Sequence, residues 1–320
     1  MSRVVVTGRV PEPALERLRA EHDVDMHDED GPISRNALLA QVAGADAILS
    51  LLTEKVDAEL LDAAGPQLQV VSNVAVGYNN VDVAACAERD VVVTNTPDVL
   101  TEATADIAFG LILMATRRLG EGERIIRSHT PWTWGMFYLL GSGLQGKTLG
   151  VIGLGGIGAA TARRAKAFGM TIAYSSRREC DPGIAEELDV TRLDMDEILA
   201  QADVLSIHCP YSPATHHLIG AEQLATMKDT AYLINTARGP IVDEAALAHA
   251  LREGQIAGAG LDVFEHEPTV DPGLLELENV ALVPHLGSAT IETRTAMAQL
   301  AADNALAILA GEPAITEVKP

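Results

Sequence analysis

Cysteines, aromatic residues and basic side chains are scarce in this sequence of 320 residues. The three cysteines, Cys86, Cys180 and Cys209, are odd in number and far apart, which excludes the paired spacing of a disulfide framework or a structural zinc site. The chain opens without the charged and apolar regions of a secretion signal. Its most apolar helical stretch, which begins at Ile107, has about half the length that a bilayer requires. We therefore expect a protein of the reducing cytoplasm with no membrane partner.

Positive charge is outnumbered, because 45 acidic residues against 23 lysines and arginines leave a formal net charge of −22. Such a charge repels nucleic acids and anionic membrane surfaces, and no basic run or basic-aromatic pattern offsets it. We therefore predict that the protein has no nucleic-acid partner. An anionic ligand would have to be held by local groups that act against the overall field.

Short β-branched runs alternate with stretches of helical periodicity along most of the chain. This alternation predicts parallel strands with crossover helices, and the length suits two domains. The pattern pauses between Thr101 and Gly146 and restarts at Lys147. The predicted fold class is therefore α/β, with two similar doubly wound, Rossmann-like units built on parallel sheets.

A long apolar helix is predicted from about Ala103 to Leu119. It is apolar nearly all round, so we expect it to be buried on more than one side. A second subunit would provide this burial in a dimer. Packing between the two domains of one chain is the alternative.

A glycine-rich turn follows the predicted strand that ends near Ile152. Gly153, Gly155 and Gly158 have GxGxxG spacing, with a predicted helix after them. In that context the first glycine permits the tight turn, the second lets the backbone approach a pyrophosphate, and the third lets the helix pack on its strand. The turn therefore predicts a dinucleotide site, with an ordinary glycine-rich connection as the alternative.

Three segments at later strand ends carry the candidate ionisable residues Arg238, Glu267 and His285. Ligands of doubly wound sheets bind outside the carboxyl ends of the strands, so the three side chains are predicted to converge. Reduction of a 2-oxoacid needs a cation for the carboxylate and carbonyl, which suits Arg238, and a general acid, which suits His285. Glu267 would hold the imidazole and favour its protonated form. Taken singly, each residue could instead be structural.

Other histidines compete with His285. His208 also lies at a predicted strand end, and His216 and His217 are adjacent. Adjacent side chains are expected to point in different directions and no acidic cluster accompanies them, so no metal site is predicted. The sequence lacks a GxSxG motif and gives no support for hydrolysis by a serine nucleophile.

Taken together, the motifs resemble the D-2-hydroxyacid dehydrogenase family, and within it the glyoxylate/hydroxypyruvate reductases. The resemblance covers essentially the whole chain and rests on five segments in order: VGYNNVD, GKTLGVIGLGGIG, NTARGPIVDEAAL, GLDVFEHEP and PHLGSAT. It implies a homodimer with Arg238, Glu267 and His285 as catalytic residues. It also implies a substrate-binding domain of residues 1–98 and 287–320 and a nucleotide-binding domain of residues 99–286.

The resemblance implies further roles around this trio. The backbone of Val76 and Gly77, with Arg238, would bind the substrate carboxylate, and Trp134 would reach the active site of the neighbouring subunit. Asp262 would bind the nicotinamide amide. Further cofactor contacts are implied for the following residues: Thr104, Gly153, Leu154, Gly155, Gly156, Ile157, Gly158, Cys209, Pro210, Thr236, His285 and Gly287.

Departures from the family pattern bear on the substrate. Gly156 stands where the family often has a basic residue, and the segment VSNVAVGYNN has no arginine or lysine for a substrate phosphate. The regulatory extension of many phosphoglycerate dehydrogenases is also absent. We therefore expect glyoxylate and hydroxypyruvate as substrates, with 2-ketogluconate or another small 2-oxoacid as the close alternative. A dinucleotide-sensing scaffold of the corepressor type is an alternative of another class.

The segment TIAYSSRREC predicts the cofactor preference. Ser175, Ser176, Arg177 and Arg178 follow the second strand of the nucleotide unit, where NAD-binding proteins present a carboxylate to the ribose hydroxyls. Serine hydroxyls and a guanidinium can instead bind the 2'-phosphate of NADPH, which a carboxylate would repel. NADP(H) is therefore the expected cofactor, and the use of NAD stays open. A solvated polar turn, with Glu179 neutralising one arginine, is the alternative.

Overall fold

The computed structural model describes residues 1–29 and 31–319. The chain forms two compact units, one from Met1 to Leu100 together with the stretch that begins at Ser288, the other from Thr101 to Gly287. Each unit has its own parallel sheet with connecting helices. The α/β class with two doubly wound parallel sheets, predicted from the alternating pattern, is thereby confirmed.

The first unit is built on five short parallel strands. They are β1 Arg3–Val6, β2 Asp23–Met26, β3 Ala47–Ser50, β4 Val70–Asn73 and β5 Val92–Thr94. The strands pair in the order β2-β1-β3-β4-β5. Four helices connect them and a fifth returns near the end of the chain: α1 Glu12–Arg19, α2 Arg35–Val42, α3 Ala58–Ala64, α4 Val83–Ala87 and α13 Ile291–Leu309.

Local sequence explains where these elements begin. Ser34, Asp57 and Asp82 each accept a hydrogen bond from a backbone amide in the first turn of α2, α3 and α4, which satisfies donors that a helix leaves open. Strands β3 and β4 are buried along their whole length, as expected for parallel strands covered on both faces. The apolar core of the first unit therefore lies on both sides of its sheet.

The second unit contains seven parallel strands: β6 Thr148–Ile152, β7 Thr171–Ser175, β8 Thr191–Arg192, β9 Val204–Ile207, β10 Tyr232–Asn235, β11 Gly258–Leu261 and β12 Val280–Leu282. They pair in the order β12-β11-β10-β9-β6-β7-β8. The strand order reverses between β6 and β9, and sheets of this kind bind ligands outside the carboxyl ends at such a point. The helices are α5 Thr101–Thr116, α6 Leu119–Arg127, α7 Gly156–Ala167, α8 Pro182–Leu188, α9 Met195–Gln201, α10 Ala221–Thr226, α11 Glu244–Arg252 and α12 Pro272–Leu275.

The apolar helix α5 ends at Thr116, before the predicted end at Leu119. It packs against α7 and against strands β10, β11 and β12 of its own unit, which buries Ala105, Leu111 and Ile112. Neither a second subunit nor packing between domains is needed to explain this burial. Among the described residues, no helix combines the length and the apolar character that crossing a membrane requires.

Candidate active site

The carboxyl edge of the seven-stranded sheet collects most of the predicted site residues. The adjacent strands β10, β11 and β12 lead into the segments that carry Arg238, Glu267 and His285. Strands β9, β6 and β7 follow in that order and lead to the Cys209 segment, the glycine turn and Ser175–Arg178. The strand order therefore places the predicted catalytic residues at one side of the edge and the predicted cofactor contacts along the rest.

Arg238 follows β10 on a loop that the buried Asn235 fixes. The Asn235 side chain donates to the carbonyl of Arg238 (2.9 Å) and accepts from the amide of Ala237 (3.0 Å). Nη1 of Arg238 donates to the Ala237 carbonyl (2.6 Å). Burial lowers the pKa of Arg238 and the charge of Glu267 raises it, but a guanidinium remains protonated in proteins. A fixed positive charge therefore lies at this strand end.

Gly239 lets the Arg238 loop press against the segment that follows β11. A Cβ atom at Gly239 would lie 1.9 Å from the backbone carbonyl of Phe264, so only glycine fits there. The amide of Phe264 donates to Oε1 of Glu267 (3.0 Å). The close approach therefore brings the segments of Arg238 and Glu267 together.

Glu267 and His285 form a hydrogen-bonded pair. Oε2 of Glu267 is 2.8 Å from Nδ1 of His285, which leaves Nε2 of the imidazole for another partner. Burial raises the pKa of Glu267, but the hydrogen bond and charge of His285, the Phe264 amide and the charge of Arg238 together hold it below its ordinary value. Glu267 is therefore ionised at neutral pH and favours a proton on Nδ1.

The buried Asp262 fixes the main chain around His285. Its carbonyl accepts from the amide of His285 (2.8 Å), and its carboxylate accepts from the amides of Leu286 (2.5 Å) and Gly287 (2.8 Å). His285 has a φ of 52°, in the left-handed region. Burial raises the pKa of Asp262. Asp262 thus has a positioning contact with the histidine loop that the sequence did not indicate.

The glycine turn has the close approaches that a dinucleotide-binding turn requires. Gly153 has a φ of 92°, and a Cβ atom there would lie 2.7 Å from the amide nitrogen of Cys209. A Cβ atom at Gly158 would lie 2.4 Å from the Gly153 carbonyl oxygen. Helix α7 therefore packs on the turn after β6 at a distance that only glycine allows.

The N-terminus of α7 is the natural anion-binding position of this turn. Gly155 is the N-cap, and the space that a Cβ atom would occupy there is open. The first-turn residues Gly156 and Ile157 have amides that the helix itself leaves unpaired. The amide of Leu154 donates to Oγ of Ser176 (3.0 Å). This bond joins the glycine turn to the second predicted cofactor segment.

Ser175, Ser176 and Arg177 line a shallow cavity beyond the end of β7. Arg178 is not among its lining residues. Arg177 and Arg178 are both exposed, and neither forms a hydrogen bond or an ion pair within the part of the chain that the structure describes. Glu179 contacts Arg192 instead, at 3.4 Å, so the ion pair that a neutralised polar turn would need at Arg177 or Arg178 is not formed.

The remaining predicted cofactor contacts lie around the centre of the same edge. Thr104 on α5 lies next to Gly287, with its Oγ1 3.5 Å from the position of a Cβ atom there. The hydroxyl of Thr236 is buried and has no hydrogen-bond partner among the described residues. Cys209 and Pro210 follow β9, and burial raises the pKa of Cys209 to about 11. An unpartnered hydroxyl and an open glycine turn fit a bound dinucleotide.

Val76 and Gly77 belong to the first unit and follow β4. The side chain of Asn95 donates to the Val76 carbonyl (2.9 Å), and that of Asn73 donates to the Gly77 carbonyl (2.9 Å). The preceding carbonyl, that of Ala75, accepts a hydrogen bond from the backbone amide of Thr96 (2.9 Å).

The bonds to the carbonyls of Ala75 and Val76 orient the next amides in the chain, those of Val76 and Gly77. A trans peptide carries its carbonyl and its N–H on opposite sides, so the amides of Val76 and Gly77 point away from the groups that hold the carbonyls. Within residues 1–29 and 31–319, neither amide has an acceptor. Sequence reasoning missed Asn73 and Asn95, although both stand as polar residues at or just beyond the end of a buried strand.

Trp134 lies in the segment between α6 and β6, and 73% of its surface is exposed. Its indole forms no hydrogen bond or ring contact within the described part of the chain. The structure therefore does not bring Trp134 to the predicted catalytic residues of its own chain.

The other histidines are accounted for by structural contacts. Burial lowers the pKa of His208 to about 4, and its Nε2 is 2.8 Å from Oγ of Ser206, so it is a neutral, half-buried side chain. The rings of His216 and His217 stack at 4.0 Å; the expectation that they diverge was wrong, because the left-handed φ of 49° at His217 turns the chain. No group of three or more metal-binding side chains is found among the described residues.

Comparisons with known proteins agree with this arrangement. The model of the D-isomer specific 2-hydroxyacid dehydrogenase, NAD binding domain, matches residues 109–287. The chain is 47% identical over 315 residues to a glyoxylate reductase of Korarchaeum cryptofilum, with 97% of this chain and 93% of the relative covered. It is 45% identical over 315 residues to a glyoxylate reductase of Thermococcus onnurineus, with the same coverage.

Solved structures are similar over the full length. The TT0316 protein from Thermus thermophilus has a TM-score of 0.92 and 43% identity, with 99% of this chain and 100% of that chain covered. The NADPH-dependent glyoxylate/hydroxypyruvate reductase from Sinorhizobium meliloti, solved with NADP and malonate, has a TM-score of 0.85 and 37% identity, with 99% and 96% covered. The family predicted from the ordered motifs is thus confirmed, and the chain belongs to the NAD(P)-dependent D-isomer specific 2-hydroxyacid dehydrogenases.

Proposed function

We propose that the protein uses NADPH to reduce glyoxylate and hydroxypyruvate to glycolate and D-glycerate. The observation that carries this proposal is the hydrogen-bonded pair of Glu267 and His285 beside the segment of Arg238. Relatives named glyoxylate reductase, and a reductase solved with NADP and malonate, support a small carboxylate substrate. In this proposal the first unit binds the substrate and the second unit binds the dinucleotide.

The substrate carboxylate would be held by the backbone. The Gly77 amide is oriented through the bond of Asn95 to the Val76 carbonyl, and the Val76 amide through the bond of the Thr96 amide to the Ala75 carbonyl. Neither amide has an acceptor of its own among the described residues. Two fixed amide donors suit a carboxylate. Arg238 adds a positive charge that polarises the carbonyl group and stabilises the negative charge that develops on its oxygen.

His285 would deliver the proton. A bound NADPH supplies the hydride that reduces the carbonyl carbon. Glu267 keeps Nδ1 of His285 protonated, so Nε2 carries the second proton of the imidazolium and can donate it to the carbonyl oxygen. After donation the neutral imidazole remains hydrogen-bonded to Glu267, in the tautomer that can later take a proton back on Nε2.

The choice of NADPH is supported by the turn after β7. Ser175, Ser176 and Arg177 line the cavity there, and the serine hydroxyls can donate hydrogen bonds. Arg177 offers a charge-assisted bond to a 2'-phosphate, and we propose it as the main phosphate contact because Arg178 does not line the cavity.

We propose that two copies of the chain form a homodimer through the segment between α6 and β6, with Trp134 reaching the neighbouring active site. This segment exposes a run of large apolar side chains: Trp132, Trp134, Met136, Phe137 and Leu140. An exposed cluster of this size is typical of a protein interface.

A panel of small 2-oxoacids tests the proposed function. Glyoxylate, hydroxypyruvate and 2-ketogluconate are each assayed with NADPH and with NADH, and the expected result is the highest kcat/KM for glyoxylate or hydroxypyruvate with NADPH. A higher value for 2-ketogluconate would replace the substrate and keep the reaction class. Binding of NADPH without its consumption on any 2-oxoacid would favour a dinucleotide-sensing scaffold and overturn the proposal.

A further inference from the structure

Arg192 lies on the strand beside the one that leads into Ser175–Arg178. In the ladder of β7 and β8 it pairs with Tyr174, the residue before that turn. Its Nη2 donates to the carbonyl of Ser176 (3.0 Å), and its side chain lines the same cavity as the two serines and Arg177. Two arginines, one in the turn after β7 and one on β8, therefore border one cavity.

The second contact of Arg192 is an exposed ion pair with Glu179. Nη1 of Arg192 is 3.4 Å from Oε1 of Glu179, and the two side chains are 44% and 84% exposed. An exposed pair of this kind contributes little to stability because water screens it. A more highly charged anion can therefore replace the Glu179 carboxylate at Nη1, while the bond from Nη2 to Ser176 keeps the guanidinium in place.

The other charged groups at this cavity do not offer the same exchange. Asp194 also lines it, but its carboxylate caps α9 and accepts from the amide of Glu197 (2.8 Å). Arg177 is exposed and positive, and Leu193 and Met195 contribute apolar surface. The cavity therefore has two cations and one carboxylate engaged in a helix cap. The exposed carboxylate of Glu179 lies outside its lining and competes for Arg192.

We propose that Arg192 is a second cation of the 2'-phosphate site and determines the preference for NADPH together with Arg177. In the absence of the phosphate, the Glu179 carboxylate pairs with Arg192, and the bound phosphate takes the place of this carboxylate. This inference rests on the proposed use of NADPH. A phosphate monoester carries about two negative charges at neutral pH, so one guanidinium leaves it half compensated in a protein whose net charge is −22. The second guanidinium supplies the remaining charge.

The experiment compares Arg192→Ala with the control Arg163→Ala. Arg163 lies on α7 in a similarly exposed pair with Glu187, and its side chain is 43% exposed. The measurements are kcat/KM for NADPH and NADH, and the Kd of adenosine 2',5'-bisphosphate and of AMP. For Arg192→Ala we expect the NADPH-to-NADH ratio to fall about five- to twentyfold, with a matching loss of affinity for the bisphosphate over AMP. The control should leave the ratio as in the parent.

Glu179→Gln provides a change of opposite sign. Removing the competing carboxylate should raise the NADPH-to-NADH ratio by about two- to fivefold, as expected for an exposed ion pair. If Glu179 acts through Arg192, this gain shrinks in the Arg192→Ala background, because the two residues then show a coupling in the double-mutant cycle.

If Arg192→Ala lowers kcat/KM equally with NADPH and with NADH, the inference is overturned. It is also overturned if Glu179→Gln raises the NADPH-to-NADH ratio equally in the parent and in the Arg192→Ala background. The proposed function fails in a different way. A parent enzyme that prefers NADH and does not respond to Arg177→Ala refutes NADPH selection itself. A parent that prefers NADPH and depends on Arg177 but not on Arg192 refutes only the second cation.

Discussion

Arg238 stands on a loop whose backbone is already hydrogen-bonded by Asn235, so its side chain can be changed while the contacts of that loop remain. We expect Arg238→Ala to lower kcat/KM for the 2-oxoacid by about two orders of magnitude or more, because the group proposed to polarise the carbonyl is lost. Arg238→Lys keeps the positive charge but lacks the planar guanidinium that can bind two oxygens at once. Its kcat/KM should therefore lie between those of the parent and of Arg238→Ala. Steady-state kinetics and the Kd of NADPH are the measurements. Near-normal turnover by folded Arg238→Ala would make Arg238 a structural residue.

The pair of Glu267 and His285 predicts a pH dependence. Reduction consumes the proton that His285 is proposed to deliver, so its rate should fall as pH rises, while alcohol oxidation improves over the same range. The pKa of Glu267 lies below its ordinary value, so its negative charge is present throughout this range. Glu267→Gln removes that charge and should move the fall in reduction rate to lower pH. Single-turnover rates of reduction, measured across pH for the parent and for Glu267→Gln, test this prediction. Identical pH profiles would contradict the proposed role of Glu267.

At the residue scale, the convergence of the proposed catalytic side chains was predictable, and the residues that position them were not. Motifs of fixed order placed Arg238, Glu267 and His285 after successive strands, and the structure brings them to neighbouring strand ends. Asn95 acts on a carbonyl 19 positions away in the sequence, so its partner follows only from the folded loop. Arg192 needs the pairing of two strands to approach Ser176. Contacts of this kind leave no spacing pattern in the sequence.

At the scale of elements, Asp203 ties the start of β6 to the start of β9. Its carboxylate accepts from the amide of Thr148 (2.8 Å) and from Nζ of Lys228 (2.9 Å). We expect Asp203→Ala to lower the free energy of unfolding by about 1.5 to 3 kcal/mol at neutral pH, because two bonds to a charged group are lost. Thermal and urea unfolding of the variant are compared with Asp229→Ala, a control at an exposed position near Lys228.

The contribution of Asp203 should also depend on pH. Burial raises the pKa of Asp203, but the hydrogen bonds from Lys228 and Thr148 outweigh it, and the pKa lies below its ordinary value of 3.8. A lowered pKa in the folded state stabilises the fold above the ordinary value, and this stabilisation is lost as pH falls through the folded-state value. The difference between parent and Asp203→Ala should therefore shrink in acid. A difference that stays constant as the solution is acidified to about pH 3 would contradict this account.

Strands with apolar runs were predictable, including the edge strands β5 and β12, whereas the polar edge strands β2 and β8 were missed. Strands with continuous apolar runs, such as β4 and β9, are buried on both faces, and that pattern identified them. Strands β2 and β8 each form one edge of their sheet, and they contain charged residues and are partly or fully exposed. These two strands lack a continuous apolar run, so local sequence does not distinguish them from loops.

At the scale of the whole molecule, the apolar segment between α6 and β6 contrasts with an otherwise acidic chain. Trp134, Met136 and Phe137 are 73%, 72% and 88% exposed, while a formal charge of −22 makes two copies repel each other. Burying these side chains provides the attraction that association needs. Salt screens the repulsion without weakening the apolar contact. Association should therefore tighten as ionic strength rises.

The oligomeric state should depend on this same apolar segment. We expect the parent to have twice the mass of the 33.8 kDa chain in light scattering, and Phe137→Asp to shift it toward the monomer, because a carboxylate placed in a buried apolar contact is strongly destabilising. Ile315→Asp is the control, since Ile315 is also exposed, at 58%, but lies outside the segment. It should leave the mass unchanged. A monomeric parent, or a Phe137→Asp variant that keeps the parent's mass at every concentration tested, would contradict a dimer formed through this surface.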